Sequence, residues 1–160
     1  MISHDVYAET NPAFCTFVLV GFVSAYLSLN KSGPEVPLAY LSLPLALSGD
    51  LAAEFNGTNK NTGLLEWINR SPSVQVAVAD RMNASAGIVT EALRFACFSQ
   101  VVALREDARM VLGKKKLKKA AVAKLSRDPA NAFKHAERLG FWFAKAGSTR
   151  VVFDTIGLTA

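Results

Sequence analysis

Apolar residues recur along most of the chain with the period of an α-helix, which predicts a mainly helical protein. The stretch Thr10–Asn30 has no charged residue. It opens with Asn11-Pro12, a pair typical of a helix start because asparagine caps the first turn and proline fits the first helical position. A long apolar helix is therefore expected to about Leu29. A shorter helix is expected over 37–47, ending at Ser48-Gly49.

A polar, glycine-containing segment, 56–63 (NGTNKNTG), is expected to form a surface loop. The segment LLEWINRS behind it predicts a short helix that ends before Pro72. Residues 73–82 fit a helix capped by Ser73, but their alternating valines also fit a strand. Residues 88–96 place apolar side chains at helical spacing and predict a helix of about a dozen residues.

Two short β-type runs, VVAL and RMVL, flank the charged segment REDA and predict a β-hairpin over 101–112. The segment KKAAVAKL behind it predicts a helix. Asp128-Pro129 marks a further helix start, and that helix is expected to end near Gly147. Ser148 is placed to cap a last short helix that Gly157 closes.

The order of helices and hairpin between Leu64 and Leu112 is that of a winged-helix unit. A chain of 160 residues is long enough for one compact domain with its own core. The predicted fold is a single, mainly α-helical domain with one β-hairpin, winged-helix-like in its middle. Its parts are an apolar helix pair over 11–55, the winged-helix-like unit over 64–112 and basic C-terminal helices over 114–157.

The uncharged N-terminal helix also has the length of a membrane span. Its polar ends, with Thr16, Ser24 and Ser28, favour a helix packed inside a soluble protein, and a small membrane-associated protein stays the alternative. No basic signal segment opens the sequence. Cys15 and Cys97 lie in apolar stretches, so buried thiols in a reducing, cytoplasmic compartment are expected rather than a disulfide.

Motifs for catalysis, metals or cofactors are missing from the sequence. It has no glycine-rich phosphate loop and no nucleophile elbow, and neither its cysteines nor its histidines have metal-ligand spacing. His135 is expected on a helix surface. Asp50 and Glu54, one helical turn apart, are expected to form an acidic surface rather than a metal site. We therefore predict a protein that is not an enzyme and has no catalytic residue, metal or cofactor.

Positive charge is concentrated in the second half of the chain. The formal net charge is +5, with −3 on residues 1–60 and +8 on residues 61–160. The densest run is GKKKLKK at 113–119. Such lysines can neutralise phosphates without reading sequence, but a solvated surface or an acidic protein partner also explains the run. The candidate DNA contacts are Arg105, Arg109, Lys114, Lys115, Lys116, Lys118, Lys119 and Lys124.

Three consecutive aromatic residues, Phe141, Trp142 and Phe143, point in three directions around the C-terminal helix. Phe143 continues the apolar face of that helix, so Phe141 or Trp142 is expected to be partly exposed. Tryptophan is over-represented at the energetic centre of protein interfaces. Phe141 and Trp142 are therefore candidates for a partner interface, and the alternative is a helix that is buried on most sides.

A succession of short motifs spans nearly the whole chain. These motifs are Thr10-Asn11-Pro12-Ala13, Leu43-Pro44-Leu45, Leu65-x-Trp67-Ile68, Glu91-Ala92-Leu93-x-Phe95, Leu139-Gly140-x-Trp142-Phe143-Ala144-x-Ala146-Gly147 and Ile156-Gly157-Leu158. In this succession the chain resembles the middle component of bacterial three-component ABC-ATPase defence systems, the group that includes the Lamassu accessory subunit. One difference is the ending Thr159-Ala160, where the resemblance leads us to expect a proline.

The resemblance implies a small non-catalytic subunit that works with an SMC/Rad50-like ABC ATPase dimer and an effector, often a nuclease. It also implies that the effector is held inactive until the complex meets phage or plasmid DNA. The predicted function is an accessory adaptor between these two partners, with non-specific DNA contact through the complex. A standalone winged-helix DNA-binding regulator is an alternative, beside the membrane-associated protein.

Overall fold

The computed structural model describes residues 11–116 and 127–158, with the backbone alone for 127–130. Its elements, in chain order, are α1 (Pro12–Leu29), α2 (Pro37–Leu47), a 3₁₀ helix (Gly49–Phe55), α3 (Leu64–Arg70), a second 3₁₀ helix (Pro72–Gln75), α4 (Val78–Phe98), β1 (Val102–Leu104), β2 (Met110–Leu112), α5 (Arg127–Ala146) and α6 (Thr149–Ile156). The predicted fold class, a mainly α-helical single domain with one antiparallel hairpin, is confirmed.

Helix α1 runs through the middle of the domain, with α5, α4, α2 and β2 packed around it. The side chain of Asn11 accepts hydrogen bonds from the amides of Ala13 and Phe14, and Pro12 occupies the first helical position. These local contacts set the start of the helix where the sequence predicts it. The helix also ends at Leu29, as predicted.

Within the described residues, α1 is the helix that is long and apolar enough to cross a membrane by length and composition. In the structure 56% of it is buried against other parts of the protein. Cys15, Leu19 and Phe22 have no exposed surface at all. A charged side chain among them would lose its hydration without gaining a partner, which explains why the helix carries no charge. The prediction of a packed core helix is confirmed.

Helices α1 and α5 approach closely because a glycine stands where their backbones meet. A Cβ atom on Gly140 would lie 2.5 Å from the carbonyl oxygen of Phe22 and 2.9 Å from the Cβ of Ala25. Beside this contact, the rings of Phe22 and Phe143 meet edge to face with centroids 5.7 Å apart. The absent side chain at position 140 therefore lets the aromatic side chains around it interlock.

The segment before the hairpin differs from the prediction. The predicted helix over 73–82 and the separate helix over 88–96 are one continuous helix, α4. The alternative strand over 73–82 is also wrong, since the second 3₁₀ helix occupies its start. The residues between the two predicted helices include alanines, which favour helix, and the hydroxyl of Ser85 bonds back to the carbonyl of Arg81 within the helix.

The hairpin is attached to the body of the domain along one edge. The amide of Met110 donates to the carbonyl of Pro34 at 2.8 Å, and the amide of Val36 donates to the carbonyl of Ala108 at 3.1 Å. A wing that projects freely would lack such bonds. Before the hairpin, moreover, the single helix α4 stands where two helices were predicted. The winged-helix order predicted over 64–112 is therefore not confirmed.

The helices predicted to start at Asp128-Pro129 and Ser148 are confirmed, and the predicted burial is confirmed for Cys15 and only in part for Cys97. Cys15 is buried, Cys97 is half-buried, and neither forms a disulfide. The hydroxyl of Ser148 caps α6, which ends at Gly157 in the left-handed conformation, with φ 93°. The helix predicted over 118–125 lies outside the described residues.

Replacement of Gly140 tests the close contact between α1 and α5. Gly140→Ala places a methyl group against the carbonyl of Phe22, so the helices must separate and their shared core must loosen. We expect the free energy of unfolding to fall by about 1–3 kcal/mol, measured by urea denaturation.

The matched control is Gly87→Ala on α4, where an added Cβ meets no atom within 4 Å. Alanine favours a helix more than glycine does, so this variant should be unchanged or more stable by about 0.4–1 kcal/mol. Equal effects of the two substitutions would contradict the packing at Gly140.

Candidate nucleic-acid interface

The candidate basic residues fall at two ends of the hairpin. Arg105 and Arg109 flank its tip, whereas Lys114–Lys116 follow β2 at its base. Lys118, Lys119 and Lys124 lie outside the described residues. The two ends differ in what the cations contact, and this difference decides which end is better suited to bind phosphate.

The tip arginines fasten the hairpin to the segment that follows α1. Nη1 of Arg105 donates to the carbonyl of Ser32 at 3.4 Å, and Nη1 of Arg109 donates to the carbonyl of Gly33 at 2.8 Å. Both guanidinium groups also lie near the carboxylate of Asp107, at 3.8 and 3.7 Å. Each guanidinium therefore already donates to a backbone carbonyl and lies beside a carboxylate of this chain.

Charge at the hairpin tip is balanced rather than positive. Three cations face three carboxylates there, namely Lys31, Arg105 and Arg109 against Glu35, Glu106 and Asp107. A phosphate would compete with these carboxylates for the arginines and would be repelled by them. Contact of Arg105 and Arg109 with DNA stays a prediction, and the tip is the weaker of the two candidate sites.

The base of the hairpin carries a surplus of positive charge. Lys114, Lys115 and Lys116 are exposed, and none of them belongs to an ion pair among the described residues. The amide of Lys115 donates to the carbonyl of Gln100 at 2.9 Å, which holds the backbone of the run against the end of α4. The backbone is thus fixed while the ammonium groups are accessible to an anion.

Trp142 lies in the core, so its assignment to a partner interface is wrong. Its side chain has no exposed surface. The indole ring packs against Trp67, with centroids 5.2 Å apart, and its Nε1 donates to the carbonyl of Asn59 at 2.9 Å. The alternative, a helix that is buried on most sides, is confirmed for α5. Phe141 is half-buried and stays a candidate for a partner interface.

The loop that covers Trp142 is held by donors from two helices. Nε1 of Trp67 donates to the carbonyl of Glu54 at 2.9 Å, and Nη1 of Arg138 donates to the carbonyl of Phe55 and the hydroxyl of Thr58 at 3.0 and 3.1 Å. Backbone carbonyls that turn inward need such partners. The predicted surface loop over 56–63 is therefore present, but its first residues are fixed to the core.

His135, which was predicted on the helix surface, is half-buried instead. Its ring stacks on that of Phe55, with centroids 4.1 Å apart and planes 5° from parallel. Burial, with a smaller contribution from the positive charge of Arg138, lowers the pKa of His135 to about 4. At neutral pH the imidazole is therefore uncharged and acts as an aromatic packing group.

Potential metal ligands do not cluster in the part of the chain that the structure covers. No group of three His, Cys, Asp or Glu residues there could hold a metal ion. Asp50 accepts two hydrogen bonds from the guanidinium of Arg81, at 2.6 and 3.1 Å, and this bonding lowers the pKa of Asp50. The carboxylate joins the first 3₁₀ helix to α4, which is a structural role.

One exposed side chain at the base of the hairpin was not expected. Phe98, the last residue of α4, is 91% exposed. The buried face of α4 is formed by Val89, Ala92, Leu93 and Ala96. The helical period places position 98 away from that face, so the sequence did carry a signal for its exposure.

These features define the chain as a mainly helical domain that exposes lysines at the base of its hairpin. The chain belongs to the family of Middle Component 3 of ABC-three component (ABC-3C) systems, whose family model matches residues 1–160. The predicted resemblance to the middle component of a three-component ABC system is thereby confirmed, and the chain is an accessory component that has partners in an ABC complex. No curated protein and no solved structure matches the chain.

The stacked histidine predicts a stability that depends on pH. The pKa of His135 is lower in the folded protein than in the unfolded chain, so the unfolded chain binds the proton first as the pH falls. The contribution of the neutral His135 ring to the free energy of unfolding is complete above pH 6.5 and decreases from pH 6.5 towards pH 4. We expect the urea midpoint to fall over this range in the wild type.

In His135→Phe, which keeps an aromatic ring against Phe55, the decrease should be smaller. The comparison is needed because burial raises the pKa of the nearby Glu137, which acts in the opposite direction as the pH falls. An identical pH dependence in both proteins would contradict the burial of the imidazole.

Proposed function

We propose that this chain is a non-catalytic adaptor in a Lamassu-type complex that acts against phage or plasmid DNA in the cytoplasm. In this proposal it bridges an SMC/Rad50-like ABC ATPase and a nuclease-type effector. The observation that carries the proposal is membership of the middle-component family along the whole chain. A component of that kind acts through surfaces that other subunits cover.

Exposed apolar side chains supply one such surface, which we call the α3/α6 face. Leu65 on α3 and Val151 on α6 are 64% and 44% exposed, and these two helices pack against each other. Val76 follows the second 3₁₀ helix and is 67% exposed, while Gln75 beside it donates to the carbonyl of Ile156 in α6. Apolar side chains gathered on neighbouring elements support a protein-binding face.

The lysine run supports contact between the complex and DNA. Lys114, Lys115 and Lys116 are exposed at the hairpin base, away from the carboxylates of the tip. Lysine ammonium groups release counterions when they neutralise phosphates, which gives affinity without sequence preference. Such a contact suits a subunit whose complex must bind invading DNA of any sequence.

The adaptor proposal is tested by reconstitution with the ATPase and the effector. We expect this chain to be retained by the ATPase and to be needed for the effector to join it. Leu65→Glu with Val151→Glu should reduce retention at least roughly tenfold, because a desolvated charge in the contact is costly, while the urea midpoint stays unchanged.

Lys31→Glu with Lys60→Glu is a control that makes charge changes outside the α3/α6 face. Assembly of the ATPase and the effector without this chain would refute the bridging role. Recovery of the chain in salt-washed membranes would support the membrane-associated alternative instead.

The DNA contact is tested by reversing the charge of the lysine run. The variant with Lys114, Lys115, Lys116, Lys118 and Lys119 all changed to Glu should fold normally and weaken binding of duplex DNA by the assembled complex. The slope of log affinity against log salt concentration should fall by about one for each phosphate that the variant no longer neutralises.

A matched control reverses five exposed cations elsewhere, namely Lys31, Lys60, Lys134, Lys145 and Arg150. If both variants weaken binding equally, the effect belongs to net charge and not to the lysine run. Unchanged affinity of the run variant at low salt would reject the contact.

A further inference from the structure

Phe98 is exposed to an extent that the fold does not explain. Its ring is 91% exposed at the end of α4, and Phe95, one turn earlier, is 43% exposed. A phenylalanine left in water forgoes the stabilisation that burial of its ring would bring. The described elements leave Phe98 almost uncovered, whereas they cover about half of Phe95. This end of α4 therefore presents an aromatic surface.

The fold brings the lysine run to the same place. The amide of Gly113 donates to the carbonyl of Val101, and the amide of Lys115 donates to the carbonyl of Gln100, both at 2.9 Å. By standard backbone dimensions, these bonds keep the Cα atoms of Phe98 and Lys115 within about 14 Å of each other. In the sequence the two residues are far apart, and no aromatic residue interrupts the lysines.

Gly113 is required for this placement. A Cβ atom at position 113 would lie 2.1 Å from the carbonyl oxygen of Gln100, which is closer than any side chain can approach. Any residue other than glycine would push the lysine run away from the end of α4. The position of the lysines beside Phe98 is therefore built into the backbone and does not depend on flexible side chains.

Charge around Phe98 is positive. Lys114, Lys115 and Lys116 are exposed at the hairpin base, and the nearest carboxylate on α4, Glu91, is paired with Arg94 at 3.0 Å. Glu106, which forms no ion pair within the described ranges, lies at the opposite end of the hairpin. A polyanion that approaches Phe98 would therefore meet cations and little repulsion.

We propose that Phe98 and Lys114–Lys116 form a binding site for single-stranded DNA. The ring of Phe98 stacks on an unpaired base, while the lysines neutralise the neighbouring phosphates. At about 3.4 Å per nucleotide in a stacked strand, the separation between the Cα atoms of Phe98 and Lys115 corresponds to about four nucleotides at most. The proposal rests on the proposed DNA contact of the lysine run and names the form of DNA that this site prefers.

Single-stranded DNA fits this site better than duplex DNA or a membrane does. In a duplex the bases are stacked on each other, so a protein ring has no free base face to cover. An anionic membrane would match the lysines but requires an apolar face several residues wide. Phe98 is the most exposed apolar side chain there, ahead of Phe95 and of Leu112 (45%), and its ring beside a row of cations matches a strand that offers bases and phosphates together.

The test measures binding of an oligothymidylate and of a duplex of equal length, by the isolated chain and by the assembled complex. Phe98→Ala should weaken binding of the single strand roughly 5- to 100-fold and leave binding of the duplex unchanged. Phe98→Trp should retain binding of the single strand, because indole also stacks. Phe98→Leu should not, because it keeps apolar area but has no aromatic face.

Leu29→Ala is the matched control, since Leu29 is also the last residue of a helix and is 50% exposed. It should bind both probes like the wild type. Thermal unfolding of each variant checks the fold, and the retained binding of Phe98→Trp checks the site itself.

Three outcomes would overturn the proposal. In the first, the lysine variant binds neither probe, whereas Phe98→Ala binds both like the wild type. The lysine run then binds DNA without a single-strand site, and the proposed function stands. If neither probe depends on the lysines, the DNA contact fails as well. If vesicles of phosphatidylserine bind the chain through Phe98, and Phe98→Leu retains that binding, the surface is a membrane site.

Discussion

The close packing of α1 against α5 is the constraint on which the rest of the structure depends. Gly140 permits it, because any side chain there would meet the backbone of Phe22. With α2, α4 and β2 on its other sides, α1 must be apolar nearly all round, which is why it resembles a membrane span in composition. The same contact sets the position of α5, from which Arg138 and Trp142 reach the loop after the first 3₁₀ helix.

That loop illustrates how buried polar groups organise the core. The carbonyls of Glu54, Phe55 and Asn59 accept hydrogen bonds from side chains of α3 and α5, because a carbonyl without a partner costs more than the bond itself contributes. Phe55 then lies under the ring of His135, whose neutral form fits this environment. Trp142, the most conspicuous aromatic residue of α5, is thus used to hold the protein together and not to bind a partner.

The hairpin separates two electrostatic environments that the sequence presents as one basic region. At its tip, arginines and carboxylates balance and tie the hairpin to the segment after α1. At its base, exposed lysines adjoin Phe98, with Gly113 holding the two together. The proposed face for nucleic acid lies at the base, and the proposed face for protein partners is the separate α3/α6 face. Both proposals start from side chains that the fold leaves exposed.

The sequence by itself determined the bounds of α1 and α6, because caps such as Asn11 and Ser148 act within a few residues. It also determined the bounds of α2, the presence of the hairpin and the family, the last through a succession of short motifs. It did not determine that 78–98 form one helix, since local propensity there was ambiguous. Only the tertiary structure decided the burial of Trp142 and the approach of the lysines to Phe98. The carbonyl that Trp142 binds is 83 positions away, and a helical period reports which face a residue shares but not what covers that face.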